Sequence, residues 1–100
     1  MIQVKDNDLL EIKRILKEII PEYEVWAFGS RINGNPKPYS DLDLAIITSN
    51  GLDFGLKAKL KEQFEISNIS FRIDIIDWAS ISENFRKIIK GNYQIIQKLR

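Results

Sequence analysis

Three acids carry the chemistry that this sequence could do: Asp41, Asp43 and Asp74. Asp41 and Asp43 stand two apart in the run Asp41-Leu42-Asp43-Leu44-Ala45-Ile46. A strand of period two turns both carboxylates to one face and Leu42, Leu44 and Ile46 to the other. Like charges side by side repel unless a cation lies between them, and hard oxygen ligands at this separation suit Mg²⁺ or Mn²⁺, which keep several waters and accept substrate phosphates as further ligands. A strand edge with solvated acids is the plainer alternative for an isolated pair.

Gly29-Ser30 adds to that pair, because it follows an apolar stretch directly and only the turn-rich segment Arg31 to Ser40 separates it from Asp41. A glycine lets a phosphate approach the backbone, and the following amides with the Ser30 hydroxyl can form an anion nest. A strand-ending turn would use the same two residues. Arg31 either neutralises phosphate charge or makes a surface ion pair. Gly29 and Gly34 have the spacing of a P-loop, but Asn35-Pro36 stands where Lys and Ser or Thr are required, so that motif is rejected. Asp74 and Asp77 are embedded among isoleucines in Phe71-Arg72-Ile73-Asp74-Ile75-Ile76-Asp77-Trp78. An acid there must be paired or bind a metal. Alternation puts Asp74 with Arg72 and Ile76 on one face and Asp77 with Ile73 and Ile75 on the other, so Asp74 either pairs with Arg72 or completes the Asp41/Asp43 site.

Composition removes most other chemistry. With no cysteine and no histidine, the chain has no disulfide, thiolate, imidazole base or soft metal ligand. Fifteen Lys and Arg against fourteen Asp and Glu leave a net charge of +1, which does not support autonomous nucleic-acid binding. Charged residues from Lys5 onward interrupt any signal-peptide core, no run approaches the roughly 20 apolar residues that span a bilayer, and the expected setting is cytoplasmic. One hundred residues, 44% of them hydrophobic, are expected to form a single globular domain over 1–100.

The elements that must position these acids follow from pattern. Asp8 and Glu11 have the spacing of a capping box, and Leu9, Ile12, Leu16, Ile19 and Ile20 recur at helical intervals up to Pro21, which predicts a helix over 8–20. Strands are expected over 23–28, 41–48 and 71–78, with a loop through Asn33-Gly34-Asn35-Pro36-Lys37-Pro38. Leu56, Leu60 and Phe64 mark a helix over 53–66. Ser80 and Glu83 suggest a cap for a helix containing Phe85, Ile88 and Ile89, with Gly91 as its C-terminal cap. The ambiguous 92–100 segment reads as a last helical turn packed by Ile95, Ile96 and Leu99. The order indicates an α/β fold, a three-stranded mixed sheet flanked by about four helices.

Taken together, Phe28-Gly29-Ser30-Arg31, Gly34, Ser40-Asp41-Leu42-Asp43-Leu44 and a separate Asp74 resemble the signature of the nucleotidyltransferase superfamily that includes DNA polymerase beta. The short length and the Gly-Ser-Arg form resemble its minimal nucleotidyltransferase (MNT) branch, and the likeness runs from the first helix to about Tyr93. Ile32 stands where that family often has alanine, and Asn33 replaces a frequent arginine. The resemblance implies a small nucleotidyltransferase fold and an antitoxin that adenylylates a tyrosine of a HEPN ribonuclease toxin, giving a hetero-oligomer. It implies two Mg²⁺ ions, or Mn²⁺, on Asp41, Asp43 and Asp74, with Asp74 also helping to deprotonate the hydroxyl. ATP is the implied substrate, its phosphates held by Gly29, Ser30 and Arg31. The competing expectation is an antitoxin that keeps the fold and blocks its toxin by contact alone.

Overall fold

The computed structural model describes residues 2–99, apart from the side chain of Asn33; Met1 and Arg100, the latter at the end of the expected last helical turn, lie outside the described residues. Helix α1 spans Asp6–Ile19, β1 Glu24–Phe28, α2 Ser30–Asn33, β2 Leu42–Ile47, α3 Phe54–Ile66, β3 Ile73–Asp77, α4 Glu83–Gly91 and β4 Tyr93–Gln97. The strands form one mixed sheet in the order β3-β2-β1-β4. β1 is antiparallel to both β2 and β4, and β2 is parallel to β3. A parallel pair cannot be closed by a tight turn, and α3 supplies the crossover between β2 and β3.

The architecture is the expected α/β sheet with four helices, but the sheet has four strands rather than three. Tyr93-Gln94-Ile95-Ile96-Gln97 fits a helical turn or a strand equally well by pattern, and pairing with β1 decides for the strand. Ile96 is buried there, and Gln97 Nε2 donates to the carbonyls of Ile20 and Tyr23 at 2.9 and 2.8 Å. α1 begins two residues before the expected start, because Lys5 is the N-cap without a side-chain bond and the acids Asp6 and Asp8 lie in the first turn, where they favour the helix dipole. Asp8 is therefore no cap. α4 is capped by Ser82, whose hydroxyl accepts from Phe85 N at 3.1 Å, and not by Ser80, which belongs to a short 3-10 turn over Trp78–Ser80. Gly91 is the last residue of α4 and Asn92 is its C-cap.

One face of the sheet makes the core. Val25, Ala27, Leu42, Leu44, Ile46, Ile75 and Ile96 bury against Ile12, Ile15 and Leu16 of α1 and Leu60 and Phe64 of α3. Each fully buried Leu or Ile contributes about 1.5–3 kcal/mol, enough to fix the register of every strand that carries one. The opposite face carries Trp26, which stacks on Tyr93 with centroids 4.1 Å apart and meets Trp78 edge-on at 5.1 Å, and Phe28, which meets Phe85 of α4 at 5.9 Å. Among the described residues, no helix is long and apolar enough to cross a membrane.

Candidate active site

Register brings two of the three acids together. In the β2–β3 pair Asp43 stands opposite Asp74, and in the β1–β2 pair Phe28 stands opposite Asp43, so both acids lie on the aromatic face and not on the core face. The buried residues Leu42, Leu44 and Ile75 leave no other register, since a slip of one residue would place aspartates in the core. Asp41 lies immediately before β2. Gly29 follows Phe28 with φ at 87°, the left-handed region that favours glycine. A Cβ there would run into Asp43 Oδ2 and lie 3.2 Å from Asp43 Cγ, so a bare backbone is required where the turn meets the acid. Exposed Ser30 then opens α2.

The acids repel, and the structure shows how. Burial pushes the Asp43 carboxyl up, and the charges of Asp74 and Asp41 push it further, to about 6, against a smaller pull downward from Arg72. Asp41 turns to the Arg72 guanidinium, Nη2 to Oδ2 2.8 Å. Arg72, just ahead of β3, thus pairs with Asp41, just ahead of β2, and not with Asp74, the pairing that was one of the two alternatives for that acid. Among the described residues, no three His, Cys, Asp or Glu side chains are already gathered into a metal cage. The donor set nonetheless fits a hard divalent cation: Asp43 and Asp74 are neighbours whose mutual repulsion a cation relieves, and Asp41 joins them by exchanging Arg72 for the ion.

Two further residues behave differently from their sequence reading. The guanidinium of Arg31, expected at the nucleotide phosphates, is buried and donates to the main-chain carbonyls of Ser40, Gln3, Pro38 and Lys37. Asp77, which alternation alone places on the face away from Asp74, ends β3 and caps the 3-10 turn over Trp78–Ser80. It accepts from Thr48 Oγ1, from Leu52 N at 2.7 Å, and from Ala79 N and Ser80 Oγ at 3.4 Å. Burial pushes its carboxyl up, but these bonds outweigh it and hold the group below the usual carboxylate range.

The model of the nucleotidyltransferase domain family matches residues 9–97. This chain belongs to that family. It is similar to the probable protein adenylyltransferase MntA of Haemophilus influenzae, 48% identical over 97 residues that cover 97% of this chain and 85% of the relative. Among solved structures it resembles a toxin-antitoxin crystallised with AMP-PNP, with a TM-score of 0.72 and 21% identity over 92% of this chain and 74% of that one. It also resembles the complex of a tri-AMPylated Shewanella oneidensis HEPN toxin with its MNT antitoxin, with a TM-score of 0.68 and 21% identity over 93% of this chain and 71% of that one. At such identities the structural likenesses speak for the fold.

Sequence reasoning missed the Arg72–Asp41 pair and the carbonyl cage around Arg31. Neither had a local signal, since the partners lie 31 and up to 28 positions away.

Proposed function

We propose that this chain transfers AMP from ATP to a tyrosine hydroxyl of a HEPN ribonuclease toxin and thereby silences it. The observation that carries the reading is the register that sets Asp43 beside Asp74, against the Gly29 turn and next to Asp41. The relative named a probable protein adenylyltransferase, at 48% identity, supports the transfer, and the fold shared with antitoxins in toxin complexes supports the partner. A hetero-oligomer in the cytoplasm goes with that partner, and residues 1–100 would form one nucleotidyltransferase domain, a reading supported by the single core of the described residues.

In this reaction the hydroxyl oxygen attacks the α-phosphorus, the bond from that phosphorus to the bridging oxygen breaks, and pyrophosphate leaves with the electron pair. Asp74, exposed on β3, accepts the hydroxyl proton. The amides after Gly29 and the Ser30 hydroxyl hold the β and γ phosphates. Asp41, Asp43 and Asp74 would hold two divalent cations, Mg²⁺ or Mn²⁺, which supply positive charge to the triphosphate and acidify the attacking hydroxyl. Phe28 and Phe85 wall the neighbouring sheet face.

Intact-mass spectrometry of a co-expressed HEPN toxin tests the reading and should show one or more added AMP units. Toxicity suppressed with no mass change, and suppressed equally by Asp43→Asn, would establish inhibition by contact alone.

A further inference from the structure

We propose that Arg31 is a positioning residue for Asp41: its guanidinium fixes the main chain that delivers this acid to the site. The inference rests on the nucleotidyl-transfer reading and adds to it how the site is held before nucleotide arrives.

Arg31 is 5% exposed, and four of its five N–H donors are used. Nε donates to Ser40 O at 2.9 Å, Nη1 to Gln3 O at 3.0 Å, and Nη2 to Pro38 O at 3.1 Å and Lys37 O at 3.4 Å. The Phe71 ring lies under the guanidinium, 4.0 Å from its carbon to the centroid. A buried charge is costly unless its hydrogen-bonding capacity is met, and here carbonyl oxygens and a ring face meet it, with no carboxylate paired to it among the described residues. Turning the group toward a phosphate would strip all four carbonyls of a donor.

Covalent geometry turns this cage into control of the site. The Ser40 carbonyl belongs to the peptide plane that ends in Asp41 N, so fixing one fixes the other. The segment before it, Gly34-Asn35-Pro36-Lys37-Pro38-Tyr39, has no regular structure. Its turn is closed by Ser40 N to Lys37 O at 3.0 Å and Lys37 N to Ser40 Oγ at 2.9 Å, and Arg31 ties that turn to the rest of the molecule. Phe71 precedes Arg72, which holds Asp41 by its side chain and Leu42 N by its carbonyl at 2.9 Å. Arg31 itself follows Ser30. One planar group therefore joins the three segments that carry Ser30, Asp41 and Asp74. A lysine has the charge but neither the fork nor the flat face.

The test is Mn²⁺ titration of the full chain by calorimetry without nucleotide, beside amide hydrogen exchange over 39–42. Arg31→Lys should fold, bind Mn²⁺ about tenfold or more weakly, and exchange faster at Ser40 and Asp41, the size expected when support behind a metal ligand is removed. In Arg31→Ala, added guanidinium ion should restore part of the Mn²⁺ affinity, which general loosening of the fold would not allow. A folded Arg31→Lys that keeps wild-type Mn²⁺ affinity and loses only ATP affinity overturns the proposal in favour of a phosphate contact. Unchanged behaviour on every measure overturns it and leaves nucleotidyl transfer standing. A wild-type protein that binds no Mn²⁺ overturns the transfer reading and the positioning role with it. Should Arg31→Lys not fold, Phe71→Leu removes only the stacking ring, and severalfold weaker Mn²⁺ binding is then required for the proposal to stand.

Discussion

Arg72 and Asp41 meet 2.8 Å apart across the start of the β2–β3 pair, so a side-chain cation already sits on one acid of the site. The pair is open to water, with side chains 75% and 38% exposed, and such pairs contribute at most about 1 kcal/mol. Arg72→Ala should leave the melting temperature nearly unchanged. It should tighten Mn²⁺ binding without nucleotide by up to about fivefold, the factor that 1 kcal/mol corresponds to. Calorimetry decides; weaker binding in the variant would mean that Arg72 supports the ligand set and does not compete with it.

Asp43 is held at a cost to stability. Its carboxyl is raised to about 6 in the folded chain, above the roughly 3.9 of an unfolded aspartate, so the folded state grips the proton more tightly. The favourable contribution is complete below about pH 4 and is lost as pH rises through 6. Asp43→Asn should therefore be more stable than wild type at pH 7.5 in EDTA, by about 1–2 kcal/mol after allowing for the water that reaches the group. The difference should shrink toward pH 4. Urea melts at the two pH values check the sign, and a variant less stable than wild type at pH 7.5 would contradict it. Transfer should be lost in the same variant.

The parts legible in the sequence are those fixed by short-range alternation. Leu42, Leu44 and Ile46 between the acids of β2, and Ile73 and Ile75 around Asp74, announce strands with one apolar face, and the structure buries Leu42, Leu44, Ile46 and Ile75. Gly29 announces a turn because of what glycine permits. Illegible were features decided by distant partners: β4, which exists because β1 offers it an edge, and the cage around Arg31, built from carbonyls that carry no side-chain identity. The choice of Ser82 over Ser80 as cap was also hidden, since the 3-10 turn that takes up Ser80 is set by Asp77.

Asp74 and Asp77 should separate cleanly under substitution. Exposed Asp74 can become Asn with a stability change of about 0.5 kcal/mol or less, while transfer falls by orders of magnitude as several kcal/mol of transition-state stabilisation disappear. Asp77→Asn should keep transfer close to wild type per folded molecule but lose stability, about 1–3 kcal/mol, because Thr48, Leu52, Ala79 and Ser80 all donate to that carboxylate. Its lowered carboxyl adds a pH signature: this stability is present above about pH 4 and fades as acid protonates the group. Single-turnover assays and melts on both variants distinguish the roles, and the opposite ranking would place the reacting face on the other side of β3.

Gly29→Ala should harm fold and site through one atom. At φ 87° and ψ −158° the backbone lies where side chains are rarely tolerated, a strain of about 1–3 kcal/mol. The new Cβ also meets Asp43 Oδ2. The carboxylate is the softer partner, since β2 is paired on both sides, so Asp43 must swing away from its place beside Asp74. Transfer should then fall even in the folded fraction. The strain and the collision can be told apart with a double-mutant cycle, because Asp43→Ala removes the carboxylate and leaves the backbone angle unchanged. Gly29→Ala should destabilise the Asp43→Ala protein less than it destabilises wild type. Equal losses in the two backgrounds, measured by urea melts in EDTA, would mean that the backbone angle alone demands glycine and that the turn does not press on the acid.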